Sequence, residues 1–382
     1  MRIAFYAPLK PPDHPVPSGD RRMARLLMAA LARAGHVVEL ASRLRSRASD
    51  PAHQAGIAAQ AARSAERLLA RYGARPAEAR PQAWLTYHVY YKAPDWIGPA
   101  VCRSLGIPYL VAEASHAGKR AAGPWAPGHD AAARAIRQAE AVLMINPADA
   151  EGLRPLLAAP GRLVPLKPFL EDAAFERPDT PRAALRQEIA ARLGLDPGAT
   201  WLLAVAMMRP GDKLASYRVL GRALERLAEG PAWALVVVGD GPARDAVDEA
   251  LRGVAGRVRQ LGALPTEAIA PLHAACDLFV WPAVNEAYGM ALLEAQAAGL
   301  PAVAGAAGGV PAIVQDGMTG LLVPPESDEA FADAVRRLIA DTDGRARMGE
   351  AARRKALAEH RIATAAAVLD DTLRRVVAAW TP

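Results

Sequence analysis

The sequence predicts an α/β chain of two Rossmann-like parallel sheets, each covered by helices. Three observations lead there. Short apolar, β-rich runs bounded by glycine or proline alternate with longer Ala/Leu/Arg stretches of helical period. The alternation fills residues 1–165, breaks at a proline-rich stretch, and restarts. The 382 residues, 52% hydrophobic and 23% charged, are enough for two cores of ordinary size.

In the first half the expected strands are Ile3–Ala7, Val37–Ala41, Trp84–His88, Tyr109–Ala112, Val142–Ile145 and Leu163–Leu166. Between the first two, Met23, Leu26, Leu27, Ala30 and Leu31 fall at helical spacing and give Arg21–Ala34 one buried face. Residues 165–182 hold Pro165, Pro168, Pro178 and Pro181 around Glu171 and Asp172, the composition of an interdomain linker. Beyond it the expected strands are Trp201–Ala206, Leu235–Gly239, Leu278–Trp281, Ala302–Ala304 and Gly320–Val323. Ala363–Trp380 reads as an amphipathic terminal helix that folds back on the first domain. The expected domains are therefore 1–168, with the terminal segment 363–382 packed on it, and 169–362.

Composition narrows the function classes. Cys102 and Cys276 are the only cysteines, far apart and without disulfide or metal-ligand spacing, which fits a reducing cytoplasm. No run approaches the roughly 20 apolar residues of a membrane-spanning helix, and the opening Met1–Ala7 is too short for a signal peptide. Residues 1–165 carry 22 Lys and Arg against 12 Asp and Glu, while residues 166–382 carry 24 against 28. The basic first half suits an anionic partner, and Arg21, Arg22, Arg25 and Arg33 on its first helix point to peripheral contact with the inner face of a membrane. Nucleic acid is not expected, because the arginines are dispersed, aromatics are scarce, and no zinc-finger or RNP-like stretch occurs.

The densest chemical constellation is Trp281-Pro-Ala-Val-Asn-Glu286-Ala-Tyr288-Gly289-Met290-Ala-Leu-Leu-Glu294, which leaves a strand and opens a helix. A ligand at the strand's carboxyl end meets Glu286 from the loop and Glu294 from the helix, with free amides near Tyr288, Gly289 and Met290 directed at a phosphate. Ionised carboxylates are acceptors for paired sugar or ribose hydroxyls. A second cluster, Met207-Met208-Arg209-Pro210-Gly211-Asp212-Lys213, sets two cations four residues apart, which suits a diphosphate without a metal. Gly239-Asp240-Gly241-Pro242 lacks the third glycine and the distal acid of a dinucleotide fingerprint, so a nicotinamide enzyme is not expected. Asp341-Thr342-Asp343 reads as a polar turn, and Asp370-Asp371 as solvated helix surface.

These pieces, with Gly308-Gly309-Val310-Pro311 before Gly317-Met318-Thr319-Gly320-Leu321-Leu322-Val323, occur in one order. That order resembles a family 4, GT-B-fold retaining glycosyltransferase. The resemblance is dense over residues 200–340 and reaches thinly to Pro17-Ser18-Gly19-Asp20 before the first helix. It implies two Rossmann-like domains facing across a cleft, with Glu286 on the donor sugar, Glu294 on the ribose and Arg209 with Lys213 on the diphosphate. It also implies that the Tyr288, Gly289 and Met290 amides assist, that Gly19 lies by the donor phosphate and that Asp20 meets substrate. Three positions depart from the family pattern: one glycine stands where two adjacent ones are usual, Ala312 replaces a common Glu, and His116 lies about two residues beyond the usual active-site histidine. Glu113 and Lys119 are alternatives to His116 in the same loop.

The function expected from the resemblance is transfer of a sugar from a nucleotide-sugar donor to an unidentified acceptor, with the nucleotide-sugar as substrate and neither cofactor nor metal. A nucleotide-sugar 2-epimerase of the same architecture and a non-catalytic nucleotide-sugar-binding subunit are the alternatives.

Overall fold

The computed structural model describes residues 1–16, 18–227 and 229–381, so Pro17 of the first-helix motif lies outside the described residues. Two parallel six-stranded sheets organise the chain. The first contains β1 (Arg2–Tyr6), β2 (Val37–Ser42), β3 (Ala83–Val89), β4 (Tyr109–Ala114), β5 (Ala141–Met144) and β6 (Leu163–Pro165) in the order β2-β1-β3-β4-β5-β6. The second contains β7 (Thr200–Val205), β8 (Trp233–Val238), β9 (Val258–Gln260), β10 (Leu278–Trp281), β11 (Ala302–Gly305) and β12 (Gly320–Val323) in the order β12-β11-β10-β7-β8-β9. Among the described residues every pairing within the two sheets is parallel; Ile3 lies opposite Val38 on one side and Ala83 on the other. Central strands covered by helices on both faces must be apolar on both, which is why Phe5, Leu85, Val111, Leu203, Val236 and Phe279 are all fully buried.

Contacts divide the chain into two compact units, Met1–Phe169 with the segment starting at Ile362, and Leu170–Arg361. In the first unit the helix Gly19–Arg33 buries the stripe of Met23, Leu26, Leu27, Ala30 and Leu31, and the Ser18 hydroxyl caps it by accepting from the Arg21 amide at 3.2 Å. The terminal helix Ile362–Ala379 packs against it, and Trp380 Nε1 donates to the Gly106 carbonyl at 2.9 Å. Asp370 departs from its expected solvation: it pairs with Arg374 one turn on and lies 3.1 Å from His36 Nε2, so it fastens the helix down.

In the second unit Asp277, just before β10, accepts from Arg182 at 2.5 Å, from Arg186 at 3.0 Å and from the Trp201 amide at 2.7 Å, tying β7 to β10 at their amino ends. Arg186 also stacks 4.1 Å above the Trp201 ring. Asp341 is not a simple polar turn. Its carboxylate accepts from the Gly344 amide at 2.7 Å and caps the helix Thr342–Glu359. The edge strand β9 has no counterpart among the expected strands. Val258-Arg259-Gln260 is half-buried throughout and carries neither an apolar run nor a clean alternation, so only its pairing with β8 reveals it.

Candidate functional site

In an open parallel sheet a ligand site forms where neighbouring strands send their connections to opposite faces. In the second unit that point lies between β7 and β10. The β7 connection runs through Ala206–Gly211 into the helix Asp212–Glu225, and the β10 connection through Pro282–Gly289 into the helix Met290–Ala298. Each arm brings one charged side chain to the crevice: Lys213 from the first and Glu286 from the second form an ion pair, about two-thirds or more buried on each side.

The Glu286 carboxylate also accepts from Trp281 Nε1 at 3.2 Å, and Lys213 Nζ sits 5.4 Å from the Trp281 ring centre. Asn285 Nδ2 donates to Asp212 at 3.1 Å and the Val284 amide to Ser216 Oγ at 3.0 Å, so the two arms are stitched along their length. Ala283 and Asn285 hold positive φ values of 55° and 49°, a conformation that non-glycine residues adopt at a cost of about 1–3 kcal/mol each. Gly289 takes φ 74° as the residue before the Met290–Ala298 helix, whose first amides have no intrahelical acceptor. Tyr288 is half-buried, its hydroxyl buried and without a hydrogen-bond partner among the described residues, and Glu294 is half-buried one turn along the helix. Arg209 is exposed.

Two glycine pairs back these arms. A Cβ at Gly239 would overlap the Ala206 carbonyl oxygen and one at Gly241 the Met208 carbonyl oxygen, because the Gly239–Ala243 loop lies directly against the Lys213 arm. A Cβ at Gly308 would overlap the Glu286 carbonyl oxygen, and the Gly309 amide donates to the Ala287 carbonyl at 2.9 Å. The motifs that look like a nucleotide fingerprint and a Gly-Gly signature are thus the supports on which Lys213 and Glu286 rest. Ala312, where a Glu is common in the family, is half-buried and its carbonyl accepts from Lys355 Nζ at 2.8 Å.

The first unit carries a second cluster. Its switch point lies between β1 and β3, and there Asp20, in the first turn of the Gly19–Arg33 helix, bonds His88 Nδ1 at 3.0 Å. Glu113 Oε1, from the end of β4, lies 3.6 Å from the same nitrogen. Burial raises the Glu113 carboxyl to about 7 despite the opposing pull of His88, and raises Asp149 to about 6. Burial pushes the Asp20 carboxyl up, but the bond to His88, the charges of His88 and Lys10 and a backbone hydrogen bond together hold it below its ordinary range.

Asp20 therefore joins this cluster, whereas His116 does not. The His116 ring stacks on His129 with centres 4.5 Å apart, and burial together with His129 lowers its pKa. Gly19 is exposed, and a Cβ there would meet nothing within 4 Å, so no contact among the described residues requires glycine at that position. Lys119 is exposed. His88 is the member that sequence reasoning passed over; its signal was a histidine at the carboxyl end of an expected strand. Among the described residues no group of three or more His, Cys, Asp and Glu is arranged to hold a metal ion.

Residues 199–341 match the family model described as Glycosyl transferases group 1. Over 218 residues the chain is 34% identical to the GDP-mannose-dependent alpha-(1-6)-phosphatidylinositol monomannoside mannosyltransferase of Mycobacterium tuberculosis, a match covering 55% of each chain. Over 256 residues it is 31% identical to the alpha-D-kanosaminyltransferase of Streptomyces kanamyceticus, covering 66% of this chain and 63% of that one. The chain spans about half the length of the first relative and less than two thirds of the second. Among solved structures, sucrose-phosphate synthase from Thermosynechococcus elongatus superposes with a TM-score of 0.75 at 20% identity, over 99% of this chain and 100% of that one. Anabaena HepE in complex with UDP follows at 0.73 and 17%, over 98% and 100%. Both are similar in fold.

Proposed function

We propose that this chain, a member of the group 1 glycosyl transferases with the GT-B fold, moves a sugar from a nucleoside-diphosphate sugar to a hydroxylated acceptor with retention at the anomeric carbon. The observation that carries the reading is the Lys213–Glu286 pair at the β7/β10 switch, beside the open amides of the Met290–Ala298 helix. Transfer breaks the bond between the anomeric carbon and the diphosphate, so negative charge grows on the departing phosphate. Lys213, Arg209 and the amides around Gly289 supply positive potential for it, at roughly 1.5–3 kcal/mol for each charge-assisted hydrogen bond. Glu286 takes the donor sugar's hydroxyls, and Glu294, about one turn along the Met290–Ala298 helix, the ribose. The acceptor is assigned to the first unit, where Asp20 and His116 are the candidate catalytic residues, and Gly19 is assigned to the donor phosphate. No cofactor and no metal enter this reading.

Titration with nucleoside diphosphates tests it. UDP, GDP, ADP and NAD are each added over a concentration series to the wild type and to Glu294→Ala, and thermal unfolding is followed. A ligand at 100 times its Kd stabilises the native state by about 2.7 kcal/mol. One diphosphate is expected to raise the Tm by several degrees, and Glu294→Ala to lose most of that rise. A response to NAD alone, or to nothing, would reject the donor assignment, and the anomeric configuration of a transferred sugar, read by NMR, decides retention.

We also assign the cytoplasmic face of a membrane as the working location, with peripheral contact through the first helix. Its basis is narrower than the charge count implies, because the Nε atoms of Arg21 and Arg25 both donate to the Pro12 carbonyl and brace the preceding loop. No helix among the described residues is long and apolar enough to cross a membrane. Co-sedimentation with anionic vesicles is expected in low salt and is expected to fall at 0.5 M salt, where charges are screened within a few ångströms. Absence of sedimentation in low salt would remove the membrane from the picture.

A further inference from the structure

We propose that Glu113, with Asp20 and Asp149 around His88, forms a cation-selecting site in the first unit, and that the acceptor held there carries an ammonium group beside its hydroxyls. This rests on the glycosyltransferase reading and names within it the chemical class of the acceptor. Every residue it uses belongs to the first unit.

Four strand ends supply the cluster. Asp20 lies in the first turn of the helix after β1, His88 and Glu113 near the carboxyl ends of β3 and β4, and Asp149 beyond β5. Ligands of open parallel sheets enter at that end. His88 and Glu113 both hold the left-handed backbone, at φ 66° and 62°, which residues with a Cβ keep only where the surrounding structure enforces it.

The hydrogen bonds leave one acceptor over. Asp20 is held ionised and accepts only, so His88 Nδ1 donates to it at 3.0 Å. Glu113 Oε1 stands 3.6 Å from the same nitrogen, beyond hydrogen-bond range. The Glu113 side chain is only 7% exposed, and although the Tyr87 hydroxyl and the His88 ring both act on its carboxyl, Oε2 has no hydrogen-bond partner among the described residues. A neighbouring buried acid behaves otherwise: Asp95 accepts from Thr86, from the amides of Ile97 and Gly98, and from Tyr109, all within 2.9 Å, and is a satisfied structural cap. Buried polar atoms in native folds are nearly always paired, so the open oxygen of Glu113 calls for a donor from outside the chain.

The charge balance says which donor. Three carboxylates surround one imidazole, and with Lys10 of the first loop facing Asp20 they still outnumber the cations. At His88 the charges of Glu113, Asp20 and Asp149 outweigh burial and raise the imidazole pKa. At Glu113 burial raises the carboxyl, Asp20 and Asp149 raise it further, and His88 and Tyr87 oppose them; the result is about 7. The unit as a whole has the opposite sign, with 22 Lys and Arg against 12 Asp and Glu over residues 1–165, so the negative potential is local to this end of the sheet. A neutral hydroxyl would satisfy Oε2 and leave the charge excess standing. An ammonium group relieves both, through charge-assisted hydrogen bonds roughly twice as strong as neutral ones. A phosphate- or carboxylate-bearing group would be repelled at the same point.

Isothermal titration of the whole chain with D-glucamine and D-sorbitol, six-carbon polyols that differ by one amino group in place of one hydroxyl, tests the proposal between pH 6 and 8, where an alkyl amine stays protonated. D-glucamine is expected to bind roughly 10-fold or more tightly than D-sorbitol at pH 8. That preference is expected to shrink toward pH 6, because a proton on Glu113 competes with the ammonium group as pH falls through about 7. Glu113→Gln keeps the side-chain shape and is expected to bring the two polyols to within about twofold of each other, with the urea midpoint unchanged or raised, since a buried charge is removed. Asp149→Asn is expected to weaken the preference in part. Equal affinity of the wild type for the two polyols at pH 8, no binding of D-glucamine, or a preference indifferent to pH would each overturn the proposal. So would a Glu113→Gln chain with a lowered urea midpoint and an intact preference, the result of a carboxylate that serves only as a structural partner for His88. UDP and GDP titrated into the same wild-type samples keep the two readings apart: a diphosphate that binds where no amine preference exists rejects the acceptor class alone, and failure to bind any diphosphate rejects the glycosyltransferase reading itself.

Discussion

Glu286→Gln is expected to tighten nucleoside-diphosphate binding severalfold while lowering donor turnover by roughly 100-fold or more. The two effects have opposite signs because Glu286 does two things. With the crevice empty it holds Lys213 in an ion pair that any incoming phosphate must compete with. Gln keeps the shape and the acceptor for Trp281 Nε1 but releases the lysine, so the phosphate meets a free cation. Once a nucleotide-sugar is bound, the carboxylate's charge faces the sugar, where positive character grows as the diphosphate leaves. Loss of a preorganised charge at that moment typically costs 10²–10³ in kcat. Lys213→Ala is expected to lose on both counts: weaker diphosphate binding, and turnover down by at least as much. Isothermal titration with the diphosphate, beside single-turnover donor cleavage, separates the two quantities. Parallel loss of affinity and rate in Glu286→Gln would show that the carboxylate is only a structural brace.

Much of this arrangement was legible in the letters. The strands were marked by apolar runs at sheet centres, where both faces are covered, and the first helix by the Met23–Leu31 stripe that it does bury. Glu286 and Lys213 were readable as candidates because charged residues beyond a strand's carboxyl end face the place where a ligand enters an open parallel sheet. What the letters did not carry was pairing across long distances. Lys213 and Glu286 stand 73 positions apart, and their contact depends on β10 lying beside β7. The same holds for Asp20 and His88, 68 positions apart. His116 drew attention through its nearness in sequence to a familiar motif position, but the chain turns it toward His129, and the histidine at the end of β3 takes the place beside Asp20. β9 escaped notice because an edge strand of three half-buried residues is held by its neighbour's hydrogen bonds, a term that no local pattern contains.

Gly239→Ala is expected to destabilise the second unit by about 2–6 kcal/mol and to abolish diphosphate binding along with it. Gly239 has φ 152°, where an L-residue is strained in any surroundings, and its missing Cβ would overlap the Ala206 carbonyl oxygen. That oxygen has no room to move. It accepts from Tyr217 Oη at 2.9 Å, and the Ala206 amide is bonded to Val238 at 3.0 Å at the end of the β7–β8 ladder. Backbone strain of about 1–3 kcal/mol and overpacking of about 1–3 kcal/mol act together there, and neither can relax without parting the two strands. Gly211→Ala is the matching control: φ is 85°, nothing lies within 4 Å of its Cβ, and only the strain is expected. Urea unfolding of both variants, compared at constant m-value, isolates the packing contribution. Equal destabilisation of the two would mean that the Gly239 loop yields to its neighbour. In that case the Gly239–Ala243 segment would not be what fixes Lys213, and the reason for a glycine at 239 would have to be sought in a ligand.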